Sequence, residues 1–147
     1  MSTTEGLGGF ISASAAAPAT FDDTGYAALD WDEVTEVTEI PENGPEHATV
    51  THTPLKTGIV NKFHGELNYG SMALPMAHDA ADAGQIILKA ALAAKTEISF
   101  RLTYSDGAIE YYRGKVMSFK KGISIGSVVP ATSMIELTSA PVEVAAP

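Results

Sequence analysis

Four histidines are the residues of this chain whose chemistry is easiest to test against known patterns, because the chain has no cysteine. None of them stands in an HExxH pattern, and without a thiolate no common zinc set can be completed. His47 and His52 lie five residues apart in a predicted strand, so they point to opposite faces. We therefore expect His47, His52, His64 and His78 to be surface or half-buried residues, and we expect no metal site.

Acidic residues and a pair of tyrosines are the other candidates for chemistry. The cluster of Asp30, Asp32 and Glu33 lacks EF-hand spacing, and no pair of carboxylates stands out for acid–base work. The chain contains no GxSxG, P-loop or dinucleotide-binding pattern. Tyr111 and Tyr112 could stack on a ligand, although adjacent strand tyrosines more often place one ring in the core and one in an interface. We expect no catalytic residue and no cofactor.

The negative charge of the chain is concentrated in its first third. The chain has 18 acidic and 9 basic residues, which gives a formal net charge of −9. Ten acidic residues and no basic residue precede position 56, whereas the nine basic and eight acidic residues after that point nearly balance. One surface should therefore carry most of the electrostatic field. A protein that grips phosphate needs a basic stripe, so this distribution argues against nucleic-acid binding.

The stretch from Thr96 to Phe119 predicts a long β-hairpin around which the rest of the chain is arranged. In its first half, apolar residues at 98, 100, 102 and 104 alternate with polar ones, a period that puts each set on its own face. Asp106-Gly107 then interrupts the alternation, as a hairpin turn does. The alternation loses phase near Gly114, where we expect a β-bulge.

Shorter segments around this hairpin predict further strands and one helix. An Ala-rich stretch over residues 80–95 predicts a helix capped by Asp79. Residues 54–70 show neither the helical nor the strand period and predict a long loop. Composition and alternation predict strands, with Pro75 at a sheet edge and with Ile135 and Leu137 facing inwards, at residues 33–40, 47–53, 71–77 and 133–139.

The order of these elements predicts a mainly β fold with one α-helix: an antiparallel β-sandwich or barrel flanked by the helix, with an extended N-terminal arm and a long loop. We expect a flexible arm over residues 1–20, a single domain over residues 21–140 and a tail over residues 141–147. Glu5 stands where a secretory leader would have basic residues, and no apolar run approaches a membrane-spanning length. We therefore expect no membrane partner.

The layout of the chain resembles the tail tube proteins (major tail proteins) of long-tailed, siphovirus-type bacteriophages. The stretch GKVMSFKKGISIGSVVPATSMIELTSAPVEV, residues 114–144, looks especially like the end of such a protein. The resemblance implies a structural virion protein whose hexameric rings stack into a tube that delivers the genome. It also implies a place in the virion tail after assembly in the host cytoplasm. The implied partners are other copies of the chain and the tape measure, tail terminator and distal tail proteins, while DNA passes through without specific binding.

Two physical arguments then select residues for such an assembly. A head-to-tail assembly needs two different complementary surfaces on one chain, and an acidic channel lining avoids the attraction that a basic lining would have for DNA. The acidic candidates for the channel lumen are Glu33, Glu36, Glu39, Glu97 and Glu110. The candidates for contacts between rings or subunits are Phe10, Ile11, Lys56, Lys62, Phe63, Arg113, Lys115, Lys120 and Lys121.

Two alternatives to a tube subunit stay open from the sequence. One is a related ring protein, such as a tail terminator or a tube subunit of an injection system, which would differ in whether its rings stack. The other is a soluble β-domain that binds a small ligand or a carbohydrate, which would stay monomeric and show a concave aromatic pocket.

Overall fold

The computed structural model describes residues 6–123, 125–126 and 128–146, and it shows a mainly antiparallel β fold. Its elements, in chain order, are β1 (Phe10–Ser14), α1 (Asp23–Ala27), β2 (Asp32–Val34), β3 (Glu46–His52), β4 (Asn61–Asn68), β5 (Ser71–Ala77), α2 (Ala83–Ala94), β6 (Glu97–Thr103), β7 (Ile109–Lys121), β8 (Pro130–Leu137) and β9 (Val142–Val144). Seven strands form the main sheet in the order β2-β1-β6-β7-β8-β5, with β9 also paired to β7. Strands β3 and β4 form a separate two-stranded sheet.

The segment that follows β2 joins the two ends of the main sheet. Val37 forms an antiparallel bridge with Met76 of β5. The Thr38 N–H donates to the Pro75 carbonyl at 3.0 Å, and the Ala77 N–H donates to the Glu36 carbonyl at 2.9 Å. Strand β2 pairs with β1 on its other side, so the sheet closes into a barrel-like arrangement, which protects its edges. Pro75 lies on the terminal strand of the sheet order, as predicted.

The predicted hairpin is present as β6 and β7, with Thr103 paired to Ile109 and Phe100 paired to Tyr112. The predicted bulge at Gly114 is wrong. The extra residue is Met117, because Val116 pairs with Ile135 while Ser118 pairs with Met134. Glycine at 114 serves close packing instead, since a Cβ there would lie 2.9 Å from the Glu136 carbonyl oxygen.

The core lies on one face of the main sheet, and α2 packs against it. Ile11, Phe100 and Ile135 have no exposed surface, and Leu88 of α2 is equally buried among them. Gly84 lets the helix approach β2 closely, because a Cβ at this position would lie 2.4 Å from the Glu33 carbonyl oxygen. The helix therefore packs at a defined position on the sheet. The predicted flanking helix is present.

The N-terminal arm, which the sequence predicted to be flexible, is largely ordered on the main sheet. Residues 10–14 form β1, which pairs with β2 and β6 and lies inside the sheet. Residues 15–31 then cross the face of the sheet opposite the core: the Ser99 hydroxyl donates to the Ala16 carbonyl at 2.9 Å, and the Tyr26 ring stacks on the Tyr111 ring at 5.1 Å. Ser12, Ala13 and Ser14 are small enough for this covered position. Segments rich in such small residues are often disordered, and for this reason the composition predicted a flexible arm. Residues 1–5 of the predicted arm lie outside the described residues.

Several other predicted elements have different bounds. The strand predicted for residues 33–40 is only β2, because Glu36 has a positive φ of 64° and the chain turns there towards β5. The loop predicted for residues 54–70 contains β4, and the predicted tail contains β9, although residue 147 lies outside the described residues. A second, short helix, α1, was not predicted. The strands predicted at 47–53, 71–77 and 133–139 correspond to β3, β5 and β8, with Ile135 and Leu137 buried.

Asp82, not Asp79, caps α2. The Asp82 carboxylate accepts hydrogen bonds from the Gln85 N–H at 3.0 Å, the Thr35 N–H at 3.2 Å and the Thr35 hydroxyl at 2.7 Å. It therefore fastens the helix start to the segment that closes the barrel. Asp79 accepts a bond from the Ala81 N–H within its own turn.

We expect Asp82→Ala to lower the free energy of unfolding by about 2 kcal/mol, because the helix loses its cap and the Thr35 groups lose a partner. Denaturation by urea, followed by circular dichroism, measures this loss. Asp79→Ala is the matched control and should cost less than about 1 kcal/mol, since its bond is local. Equal losses in the two variants would contradict this account of the cap.

Candidate assembly surfaces

Strands β3 and β4 form a hairpin, residues 46–68, that we call the projecting hairpin. Every residue of β3 is exposed, and so is every residue of β4 except the half-buried Gly65. Val50 pairs with Phe63, so these two side chains share a face, whereas the register shift beside His47 places Leu67 on the other face. These three side chains are 51%, 57% and 46% exposed. A two-stranded hairpin is marginally stable alone, so the apolar face that carries Val50 and Phe63 lacks the cover that such a structure needs.

The tip of the projecting hairpin, residues 53–60, is both apolar and positively charged. Leu55 is fully exposed, and Ile59 is 65% exposed. Lys56 lies within the tip and Lys62 just after it, while the chain has no acidic residue between Glu46 and Glu66. Exposed apolar side chains beside lysines are typical of a surface that contacts an acidic partner.

A groove of about 900 Å³ lies where the segment after β2 meets the β6–β7 turn. Its lining combines apolar side chains with carboxylates, and among the described residues that line it there is no Lys or Arg. We call it the acidic groove. Its apolar residues include Phe10, Val34, Val37, Ile40 and Leu102, and its acidic residues are Glu33, Glu36, Glu39, Glu42 and Glu110.

Tyr104 fixes one wall of the acidic groove. Its hydroxyl donates a short hydrogen bond to the Glu110 carboxylate. Burial of the phenol, together with this bond and the nearby negative charge of Glu110, raises the pKa of Tyr104 to about 12. Ionisation of the phenol would remove the bond and place two negative charges side by side.

We expect the Tyr104 phenol to ionise at about pH 12, against an ordinary pKa of 10.0. A folded pKa above the unfolded one means that the stabilising contribution is complete below pH 10 and is lost as the pH rises through 12. The difference between the alkaline absorbance titrations of the wild type and Tyr104→Phe isolates this group. Glu110→Gln should move the midpoint towards 10, and a wild-type midpoint already at 10 would contradict the assignment.

The structure brings four of the five acidic lumen candidates together. Glu33, Glu36, Glu39 and Glu110 line the acidic groove, and Glu42 joins them although the sequence did not select it. Glu97 lies elsewhere: its carboxylate faces the Arg113 guanidinium at 3.9 Å and accepts a hydrogen bond from the Thr138 hydroxyl.

The predicted contact residues are in four different situations. Lys56, Lys62 and Phe63 are on the projecting hairpin, and Phe10 lines the acidic groove. Lys115, Lys120 and Lys121 are exposed along β7. Ile11 and Arg113 are buried within this chain. Ile11 lies between its strand partners Val34 and Leu102. Arg113 lies over β6 and donates a hydrogen bond to the Glu97 carbonyl at 2.9 Å. These two side chains therefore do not present a surface to another copy.

Sequence reasoning missed the apolar residues of the projecting hairpin other than Phe63. Val50 was in the predicted strand 47–53 but was not selected as a contact, and Leu55, Ile59 and Leu67 were in the predicted loop 54–70, where single apolar residues show no period. The signal that could have found them is the pairing of Val50 with Phe63, which alternation around the tip would have placed on one face.

The histidines and tyrosines have ordinary structural surroundings. The His47 and His64 rings lie 5.0 Å apart on the projecting hairpin, and no group of three or more possible metal ligands occurs in the described part of the chain. Lys89 donates to the His78 ring at 2.8 Å. Tyr112 is in the core, whereas Tyr111 lies beneath Tyr26 and Trp31, so neither ring offers a platform to a ligand. Among the described helices, none has the length and apolar content needed to cross a membrane.

The described residues thus form a closed antiparallel sheet with a flanking helix and a projecting hairpin whose apolar side chains are uncovered. The sequence profile of the family described as "Phage tail tube protein, TTP" matches residues 20–143. The chain therefore belongs to the phage tail tube protein family, and it is a structural tail tube subunit. No curated protein sequence matches the chain.

Solved structures with the same fold include tubes of several kinds. The SPP1 tail tube structure matches with a TM-score of 0.68 at 11% identity over 96% of this chain and 78% of that one. A chain of the virion of a native gene transfer agent matches with a TM-score of 0.70 at 14% identity, over 97% and 100%. The PVC sheath–tube complex of an extracellular contractile injection system matches with a TM-score of 0.64 at 9% identity, over 97% and 92%. At these identities the likeness concerns the fold.

Proposed function

We propose that this chain assembles into hexameric rings that stack head to tail into a phage tail tube, through which the genome passes to the host. The observation that carries the proposal is the projecting hairpin, whose apolar face is uncovered within the described part of the chain. A head-to-tail stack buries such a face against a different surface of the next copy. Membership of the tail tube family supports the same assembly.

The tube has implied neighbours and a defined place in the particle. The subunits would be made and assembled in the host cytoplasm and would end in the virion tail. A tape measure protein would occupy the tube during assembly, and terminator and distal tail proteins would close its ends. The excess of acidic residues supports passage of DNA without specific binding, because a channel with few exposed cations gives phosphate little to hold.

Sedimentation velocity and negative-stain electron microscopy of the purified chain, over a range of concentrations, test this proposal. We expect rings of one size that stack into hollow tubes as the concentration rises. A single ring that never stacks would indicate a terminator instead. A monomer at every concentration would contradict the proposal and favour the ligand-binding alternative.

A further inference from the structure

The tip of the projecting hairpin and the acidic groove both expose apolar surface, and the groove is large enough to hold the tip. The apolar side chains of the tip are exposed, and the floor of the groove is lined by apolar side chains such as Val34, Val37 and Leu102. A groove of about 900 Å³ is large enough for a few residues of extended chain with their side chains. Burial of the tip in this groove would remove apolar surface of both from water.

The two surfaces also match in charge. The groove carries five carboxylates and, among the described residues that line it, no Lys or Arg. The hairpin carries Lys56 and Lys62, with no acidic residue between Glu46 and Glu66. Opposite charges at the rim of an apolar contact set its register and exclude wrong partners.

The tip of one chain is too far from its own groove to fill it. Glu42 and Asn43 line the groove, and Glu46, only a few residues further on, begins the projecting hairpin. The seven residues of β3 then carry the tip about 23 Å away from this base. A tip that fills this groove would therefore belong to another copy, and such a contact would run in one direction along a stack.

We propose that the tip of the projecting hairpin, residues 53–60, docks into the acidic groove of a second copy of this chain. The inference rests on the proposed head-to-tail assembly and names its two contact surfaces. It gives Glu33, Glu36, Glu39 and Glu110 a role in the contact between copies, in place of the channel lining expected from the sequence. Lys56 of the incoming tip and Lys62 just after it neutralise these carboxylates.

Site-specific disulfide cross-linking tests this contact directly, because the chain has no cysteine of its own. The variant with Lys56→Cys and Glu39→Cys should give a ladder of covalent oligomers under mild oxidation. The matched control pairs Lys56→Cys with Lys121→Cys on β7 and should give no ladder. Stacked rings without a ladder from the first variant would overturn the docking contact and leave the proposed function standing. A monomer that gives no ladder would overturn both.

Charge reversal provides the second, independent test. Glu36→Lys with Glu39→Lys should reduce the yield of tubes more than tenfold, and so should Lys56→Glu with Lys62→Glu. The chain that carries all four substitutions should recover tubes, because the opposite charges again face each other. A Glu36→Lys, Glu39→Lys variant that forms tubes at the wild-type yield would overturn the inference.

Discussion

Phe63→Glu should abolish tube formation while leaving the fold of the subunit unchanged. Phe63 is 57% exposed on the projecting hairpin, opposite Val50, so a carboxylate there meets water in the isolated chain. In an assembled stack the same carboxylate would be desolvated against an apolar or acidic surface, which costs several kcal/mol. Electron microscopy measures the loss of tubes, and urea denaturation should show a free energy of unfolding within about 0.5 kcal/mol of the wild type.

Met117→Glu is the matched control for this variant. Met117 is also 57% exposed, but it lies at the bulge of β7 and not on the projecting hairpin. Its substitution should leave both tubes and stability near the wild-type values. Tubes of normal length from Phe63→Glu would show that the apolar face of the projecting hairpin is not an assembly surface.

Phe100→Ala should have the largest effect on stability, a loss of about 4 kcal/mol. The Phe100 side chain is fully buried, and its ring stacks on that of Tyr112 at 5.8 Å. It faces Ala13 of β1 across the sheet, so its removal opens a cavity between the N-terminal strand and the central hairpin. Since domains are stable by only about 5–15 kcal/mol, this loss is a large part of the total.

Chemical denaturation measures the free energy of unfolding of Phe100→Ala and of Phe63→Ala. Comparing the two distinguishes the effect of burial from the effect of removing a phenylalanine ring. The same substitution at the exposed Phe63 should change the free energy of unfolding by no more than about 0.5 kcal/mol in the unassembled chain. A loss below about 1 kcal/mol for Phe100→Ala would mean that the contact of β1, β6 and β7 is not the centre of the core.

The central hairpin could be predicted from the sequence because its signal is local. Alternation from Ile98 to Leu102 and the Asp106-Gly107 turn determine both limbs without information from the rest of the chain. Ser71–Ala77 and the inward-facing Ile135 and Leu137 were predicted for the same reason. The bulge was displaced from Gly114 to Met117 because the loss of phase shows only that a residue is extra, while the pairing with β8 decides which one.

The N-terminal strand and the projecting hairpin could not be predicted because their structure depends on distant residues. FISAS has too little apolar surface to indicate a strand, and it becomes one only between β2 and β6. Asn61–Asn68 has an interrupted alternation and pairs with β3 across an irregular register. Helix α2 is likewise capped by Asp82, whose carboxylate also accepts a hydrogen bond from the hydroxyl of Thr35, 47 residues earlier.

The sequence selected candidate charged residues but could not give their arrangement. Three carboxylates selected from the acidic first third, Glu33, Glu36 and Glu39, line the acidic groove together with Glu110 of β7. Arg113 and Glu97 were chosen as exposed charges, yet they pair with each other on a covered face of the sheet. Sequence spacing places a residue on a strand face, but only the segment that crosses that face decides whether it is covered.

Electron cryomicroscopy of the assembled wild-type chain tests the central claim most directly. We predict hollow tubes of stacked six-fold rings, in which the projecting hairpin of each subunit reaches the next ring and residues 53–60 lie in its acidic groove. Tubes in which the projecting hairpin points into solvent would contradict the contact proposed for it. A chain that forms no ring at any concentration would contradict the account as a whole.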